Sequence, residues 1–157
     1  MRLNAIPVVL LASLLAAGCS HEKKTEPEKS TPAGRTLCER VGGYDEIKKV
    51  TQDFVENYVV KDDRIKGSFA HADLAHLERE LSEQIGEAAG CPGVTYKGKS
   101  MRSAHAGMGI TNEQFNAFIE DFSKCLDKNG IAAPERDELV GKLTPTKTDI
   151  VEKTDRP

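Results

Sequence analysis

The chain has no tryptophan among its 157 residues, and its other aromatics are five phenylalanines and three tyrosines. A core must therefore be built mainly from Leu, Ile, Val and Phe. An excess of either charge is also missing, since 22 Lys and Arg face 25 Asp and Glu. That balance leaves no electrostatic footprint for DNA or RNA. No internal repeat is visible. No segment alternates apolar and polar residues with the period of two that a half-buried strand shows. The apolar run from Ile6 to Ala17 is broken by Pro7 and Ser13 and is too short to span a bilayer.

That run reads instead as a secretory signal. Arg2 precedes it, and it ends in Ala16-Ala17-Gly18-Cys19. Small residues before a cysteine resemble the lipobox of bacterial lipoproteins, in which the cysteine is acylated and becomes the new N-terminus. Leu15 stands one place earlier than the usual leucine, with Ala16 in its slot. The alternative is an ordinary cleaved signal that leaves Cys19 as a thiol. On the lipoprotein reading, residues 1–18 are signal, Cys19 carries lipid, and 19–35 form a spacer. Ser20 to Arg35 holds no apolar residue except Ala33 and cannot bury enough surface to order itself. Acyl chains contribute roughly 0.8 kcal/mol per buried CH₂, so several of them hold a domain at a membrane. Ser20, not Asp, follows Cys19. The expectation is an exported, membrane-anchored domain, at the outer membrane in preference to the inner.

From Leu37 onward, apolar residues recur at three and four. Ile47, Val50, Phe54 and Tyr58 form one stripe, and Leu74, Leu77, Leu81, Ile85 and Ala88 a second. Phe115, Phe118, Ile119, Phe122 and Leu126 form the longest, and Leu139, Val140 and Leu143 a shorter one. Each predicts a helix with one apolar face. Gly42-Gly43 breaks the chain before the first, Asp73 can cap the second, and Thr111 with Gln114 has capping-box spacing before the third. Gly130 sits where a helix should stop, Pro134 suits a first turn, and Pro145 breaks or bends the last helix. Residues 90–99 read as a loop. The expected domain, 36–152, is all-α, with a short tail at 153–157.

His21 lies in the spacer, His71 beside a helix start, and His76 off the Leu74-Leu77-Leu81 stripe. His105 differs. It is flanked by Ser103, Ala104, Ala106, Gly107 and Gly109. A flat macrocycle requires an imidazole that reaches its centre with little bulk nearby.

The order of motifs resembles the truncated haemoglobins, group I, over Leu37 to Val151. The matching segments are Leu37-Cys38-Glu39-Arg40-Val41-Gly42-Gly43, Asp53-Phe54, Asp62-Asp63-Arg64-Ile65, Phe69, Tyr96-Lys97-Gly98 and His105-Ala106-Gly107-Met108-Gly109-Ile110-Thr111 before Phe115. The resemblance implies a two-over-two helical sandwich around haem, with His105 as proximal iron ligand. It implies that Phe54, Phe69, Leu77, Leu81, Tyr96, Met101, Ile110 and Phe115 surround the haem, and that Lys97 and Arg102 pair with its propionates. Plain surface charge is the other reading of those two cations. No Cys-x-x-Cys-His exists, so the expected cofactor is non-covalent haem b.

One departure bears on chemistry. Members that handle oxygen or nitric oxide usually carry Tyr directly after the Phe at 54, where this chain has Val55. Leu77 and Leu81 stand where the family often places Gln. The expected distal pocket, Val55, Leu77 and Leu81, is thus apolar. A hydrogen bond to a charged acceptor contributes roughly 1.5–3 kcal/mol, or about one to two decades in affinity. Without that donor, oxygen should leave quickly and the iron should oxidise. Carbon monoxide, oxygen or nitric oxide binding, or electron transfer with a redox partner, is the functional expectation. The alternatives are a structural lipoprotein that kept the fold without haem, and a haem enzyme of peroxidase type, for which His71 or His76 would have to turn inward. Globin topology brings the chain start near the loop after the distal helix, which implies a Cys38–Cys91 pair; three reduced cysteines are the alternative.

Overall fold

The computed structural model describes residues 34–153. The signal run, Cys19, the spacer up to 33 and the tail from 154 lie outside the described residues.

A short helix α1 (Leu37–Arg40) opens the domain, with a capping box between Thr36 and Glu39. Gly42 and Gly43, at φ 105° and 91°, then turn the chain through conformations that other residues rarely adopt. Helix α2 (Tyr44–Phe54) buries Ile47, Val50, Thr51 and Phe54, the face its spacing predicts. The stripe does not continue to Tyr58 as one α-helix. Val55–Val59 widens into a π-helical turn. Val55 and Val59 are fully buried there, whereas Tyr58 is half-buried with the Lys128 ammonium 5.8 Å from its ring centre. A 3-10 turn (Lys66–Phe69) leads to α3 (Leu74–Ala88), whose first turn is capped by the Asp73 carboxylate accepting from the His76 amide.

The loop at 90–99 precedes α4 (Met101–His105), and α5 (Asn112–Lys128) starts at the Thr111–Gln114 capping box. Gly130, at φ 77°, follows its end. Helix α6 (Ala133–Leu143) has Pro134 in its first turn, Pro145 lies in a 3-10 turn (Thr144–Thr146), and α7 (Lys147–Ile150) completes the helices. Helix α2 packs on α3 and α5, α5 packs on α6, and α6 also reaches α1 and α3. The α2–α3 approach depends on Gly86, because a Cβ there would lie 2.9 Å from the Tyr44 ring.

Phenylalanine rings join the helices. Phe54 meets Phe118 and Phe122 edge-on, with ring centres 4.9 and 5.2 Å apart. Cys38 and Cys91 form a disulfide that ties α1 to the exit of α3 across 53 residues. Closing a loop of that length stabilises by about 2–4 kcal/mol, chiefly through the unfolded chain. Arg64 clamps the segment after the π-turn to α5, reaching Asp62 at 2.6 Å, Glu120 at 2.8 Å and Asp121 at 3.4 Å.

Asp53 anchors the far side of α2. Its carboxylate accepts from Lys128 (2.9 Å), Asn129 (2.8 Å), Asn57 (2.8 Å) and the Cys125 thiol (3.5 Å). Burial pushes this carboxyl up, but those hydrogen bonds together outweigh it and hold it at about 2. Burial, reinforced by Asp53, pushes the Cys125 thiol up to about 12, so it remains a protonated donor. A depressed carboxyl contributes stability above its unfolded value, about 4, and loses it as pH falls toward the folded value. The wild type should therefore lose more of its urea midpoint between pH 5 and about pH 2 than Asp53→Asn does. Equal losses in the two proteins would remove Asp53 as an acid-sensitive anchor.

Candidate functional site

Beside the packed layer lies a cavity of about 280 Å³. Leu77 and Leu81 of α3 form one wall, and Phe115, Phe118 and Ile119 of α5 another. Ile65 and Phe69 close it on one side, and Leu143, Thr146 and Ile150 on another. Met101, Ala104 and His105 of α4 contribute to its wall, with Met108 and Ile110 following.

Local sequence explains how α4 presents its imidazole. Ser100 caps the helix through its hydroxyl, which accepts from the Ser103 amide at 3.3 Å. The His105 Nδ1 lies 2.8 Å from the Met101 carbonyl oxygen, one turn earlier. A carbonyl only accepts, so Nδ1 carries a proton, which leaves Nε2 as the nitrogen that can ligate a metal. Ala104, next to it on the cavity wall, adds little bulk.

The cavity thus brings together His105, Phe69, Leu77, Leu81, Tyr96, Met101, Ile110 and Phe115. Four residues expected with them lie elsewhere. Phe54 stands one layer back, with Phe118 between it and the cavity, because the α2–α5 crossing buries it completely. Val55 is likewise buried in the core at the start of the π-turn and is not part of the cavity wall. Arg102 is exposed and paired with Asp149 of α7. Lys97 is exposed on the loop before α4.

Glu80 and Gln84 also line the cavity. Their signal was available, since Leu77, Glu80, Leu81 and Gln84 have the spacing of one helical face. Gln84, Tyr96 and Glu80 each have a protein partner. Gln84 Nε2 donates to the Met101 sulfur at 3.1 Å, and the Tyr96 hydroxyl donates to the Lys99 carbonyl at 2.8 Å. Burial pushes the Tyr96 phenol up, and Glu80 and Glu83 add to this, so it stays protonated. Glu80 lies 3.4 Å from His76 Nε2. His76 and His71 are both exposed. Among the described residues, no three His, Cys, Asp or Glu side chains converge in a way that would hold a bare metal ion.

Residues 36–152 match the bacterial-like globin family. Group 1 truncated hemoglobin of Tetrahymena pyriformis is 29% identical over 119 residues, which are 76% of this chain and 97% of that protein. The Tetrahymena thermophila protein of the same description is 30% identical over 107 residues, 68% of this chain and 84% of its own length. Among solved structures, the Fe(III) form of the Tetrahymena pyriformis truncated hemoglobin superposes with a TM-score of 0.71 at 29% identity, covering 76% of this chain and all of that one. A 2/2 hemoglobin from Synechococcus, described as carrying covalently attached heme, shares the fold at a TM-score of 0.69 and 23% identity, covering 76% of this chain and all of its own.

Proposed function

Because the chain belongs to the bacterial-like globin family, and within it to the truncated, two-over-two hemoglobins, we propose that it holds haem b through His105 and binds a small diatomic ligand beside apolar residues. The observation that carries this reading is the His105 imidazole on the wall of an apolar cavity, with Nδ1 bonded to the Met101 carbonyl so that Nε2 is the nitrogen left to ligate. The donor set fits the group. A lone imidazole cannot cage a free ion, but it suits an iron already held by a macrocycle. Haem supplies a metal centre that binds diatomic gases. Phe69, Phe115, Ile110 and Met101 offer the apolar surface that would flank its ring. Non-covalent attachment is supported by a wall with one histidine and no cysteine.

Leu77 and Leu81 carry no hydrogen-bond donor, the Tyr96 hydroxyl proton is engaged by the Lys99 carbonyl, and one of the two Gln84 amide protons by the Met101 sulfur. Oxygen should therefore be held weakly, and carbon monoxide, which depends less on a donor, readily.

We further propose that the domain is exported and anchored by lipid on Cys19, with the outer membrane preferred because Ser20 follows it. The signal run ending at Ala16-Ala17-Gly18-Cys19 supports this, and a Cys38–Cys91 disulfide suits an oxidising compartment.

Three tests follow these proposals. Wild type reconstituted with haemin should show a Soret band that His105→Ala weakens and shifts; an unchanged affinity and spectrum would remove His105 as the ligand, and a colourless wild type would favour a structural role. Leu77→Gln should slow oxygen dissociation by about one to two decades in stopped flow, the magnitude of one hydrogen bond to a charged acceptor. A wild-type oxygen complex already stable for hours would defeat the apolar reading. Mass spectrometry of the mature N-terminus should find acylated Cys19 and its loss in Cys19→Ser, whereas an unmodified peptide from another cleavage site would end the anchor proposal.

A further inference from the structure

Helix α4 is too short to hold itself. It has five residues, and none of them is buried. A segment of that length gains little from its own hydrogen bonds. Its main packing partner is α7, near the end of the chain.

The strap formed by α7 and residues 151–153 grips α4 and its exit. Asp149 pairs with the Arg102 guanidinium. Beyond His105, Gly107 and Gly109 adopt φ 80° and 65°, the left-handed region that favours glycine. The Glu152 carboxylate accepts from both of their amides, Oε1 from Gly107 and Oε2 from Gly109, each at 2.6 Å. Backbone amides converging on an anion make short, charge-assisted bonds. The Glu152 and Lys153 amides in turn donate to the Ile110 carbonyl, at 3.0 and 3.1 Å. Glu152 itself is exposed, and it does not line the cavity.

We propose that Glu152 is a positioning residue for His105: by holding the Gly107 and Gly109 amides on its two carboxylate oxygens, it sets where α4 ends and so the angle at which the imidazole meets the iron. This rests on the haem reading above. The physical reason is leverage. The imidazole is bonded to the carbonyl of Met101 in the same short helix, so a rotation of α4 moves ring and partner together. The Gln84 contact with the Met101 sulfur and the Arg102–Asp149 pair hold the start of α4. The strap holds its exit, and Glu152 is the one side chain in it that binds the backbone leaving His105. Outer partners of a metal ligand commonly alter retention by about 10–100-fold.

The test uses the full mature protein loaded with haemin, comparing wild type, Glu152→Ala, Glu152→Gln and Lys153→Ala. Three readouts apply: the iron–histidine stretching band of the ferrous form by resonance Raman, haemin loss to excess apomyoglobin, and amide exchange at Gly107 and Gly109 by NMR. Glu152→Ala should shift or broaden the band, speed haemin loss by about tenfold, and unprotect both amides. Glu152→Gln, which keeps the shape and one acceptor, should fall between. Lys153→Ala, which keeps the backbone bonds of the strap but removes the ammonium beside Gly109, should lie closer to wild type than Glu152→Gln does. If Glu152→Ala proves unfolded by circular dichroism, Glu152→Gln decides alone. A Glu152 variant with the wild-type band and haemin loss within twofold overturns the proposal, even if its amides exchange faster. Unchanged amide exchange overturns it as well. A wild type that shows no histidine band instead strikes the His105 reading, and this proposal falls with it for that separate reason.

Discussion

A site for a flat macrocycle needs apolar walls that the domain's own side chains do not fill, so the helices that form them cannot close on one another there. The rest of the polypeptide has to hold those walls in place. A continuous layer does so behind them, where Phe54, Phe118 and Phe122 meet edge-on and Leu126, Val55 and Val59 fill the remaining space. The Cys38–Cys91 link acts on the unfolded chain and needs no core volume. Asp53 and Arg64 secure the two ends of the segment that includes the π-turn through hydrogen bonds and ion pairs at the margin, again outside the cavity.

The two sides of the cavity are built by different means. The wall carrying Leu77 and Leu81 belongs to a 15-residue helix, capped at Asp73 and packed on α2 along its length. Its geometry follows from ordinary amphipathic burial. The wall carrying His105 belongs to a five-residue helix with no buried residue. There, precision comes from polar contacts made one at a time: the Ser100 cap, the Nδ1 bond to Met101, the Arg102–Asp149 pair and the Glu152 carboxylate. A ligand helix held in this way can be adjusted by changes that leave the core untouched. Tyr96, Gln84 and Glu80, which reach the cavity, each have a protein partner, and most of the remaining wall is Leu, Ile, Phe and Met.

Periodicity and punctuation made the helices legible before any coordinates. The Asp73 cap, the Thr111–Gln114 box, the Gly42-Gly43 turn and the Pro134 first turn each depend on chemistry within a few residues of one another, which is why they could be read. The same locality accounts for what was misplaced. A stripe shows which face of a helix is apolar, but not whether that face meets the cavity or the layer behind it. Phe54 and Val55 belong to the layer behind, while Phe118 and Ile119, legible only as core, form the wall. Glu80 and Gln84 share the helical face of Leu77 and Leu81, but a stripe of apolar residues does not single them out. Lys97 and Arg102 were cations near the expected rim, and Arg102 was taken by Asp149, 47 residues away.

By itself, then, the sequence determined an all-α domain, the apolar faces and several end signals of its four longer helices, and one histidine whose small neighbours set it apart, because all of these rest on interactions between residues close in the chain. Only the tertiary structure decided the cavity's wall, the widening of α2 into a π-turn, and the clamp of residues 151–153 on the loop after His105. Those depend on which surfaces meet across the fold, and the Glu152 carboxylate, 45 residues from the Gly107 amide it accepts from, has no signature in the sequence that joins the two.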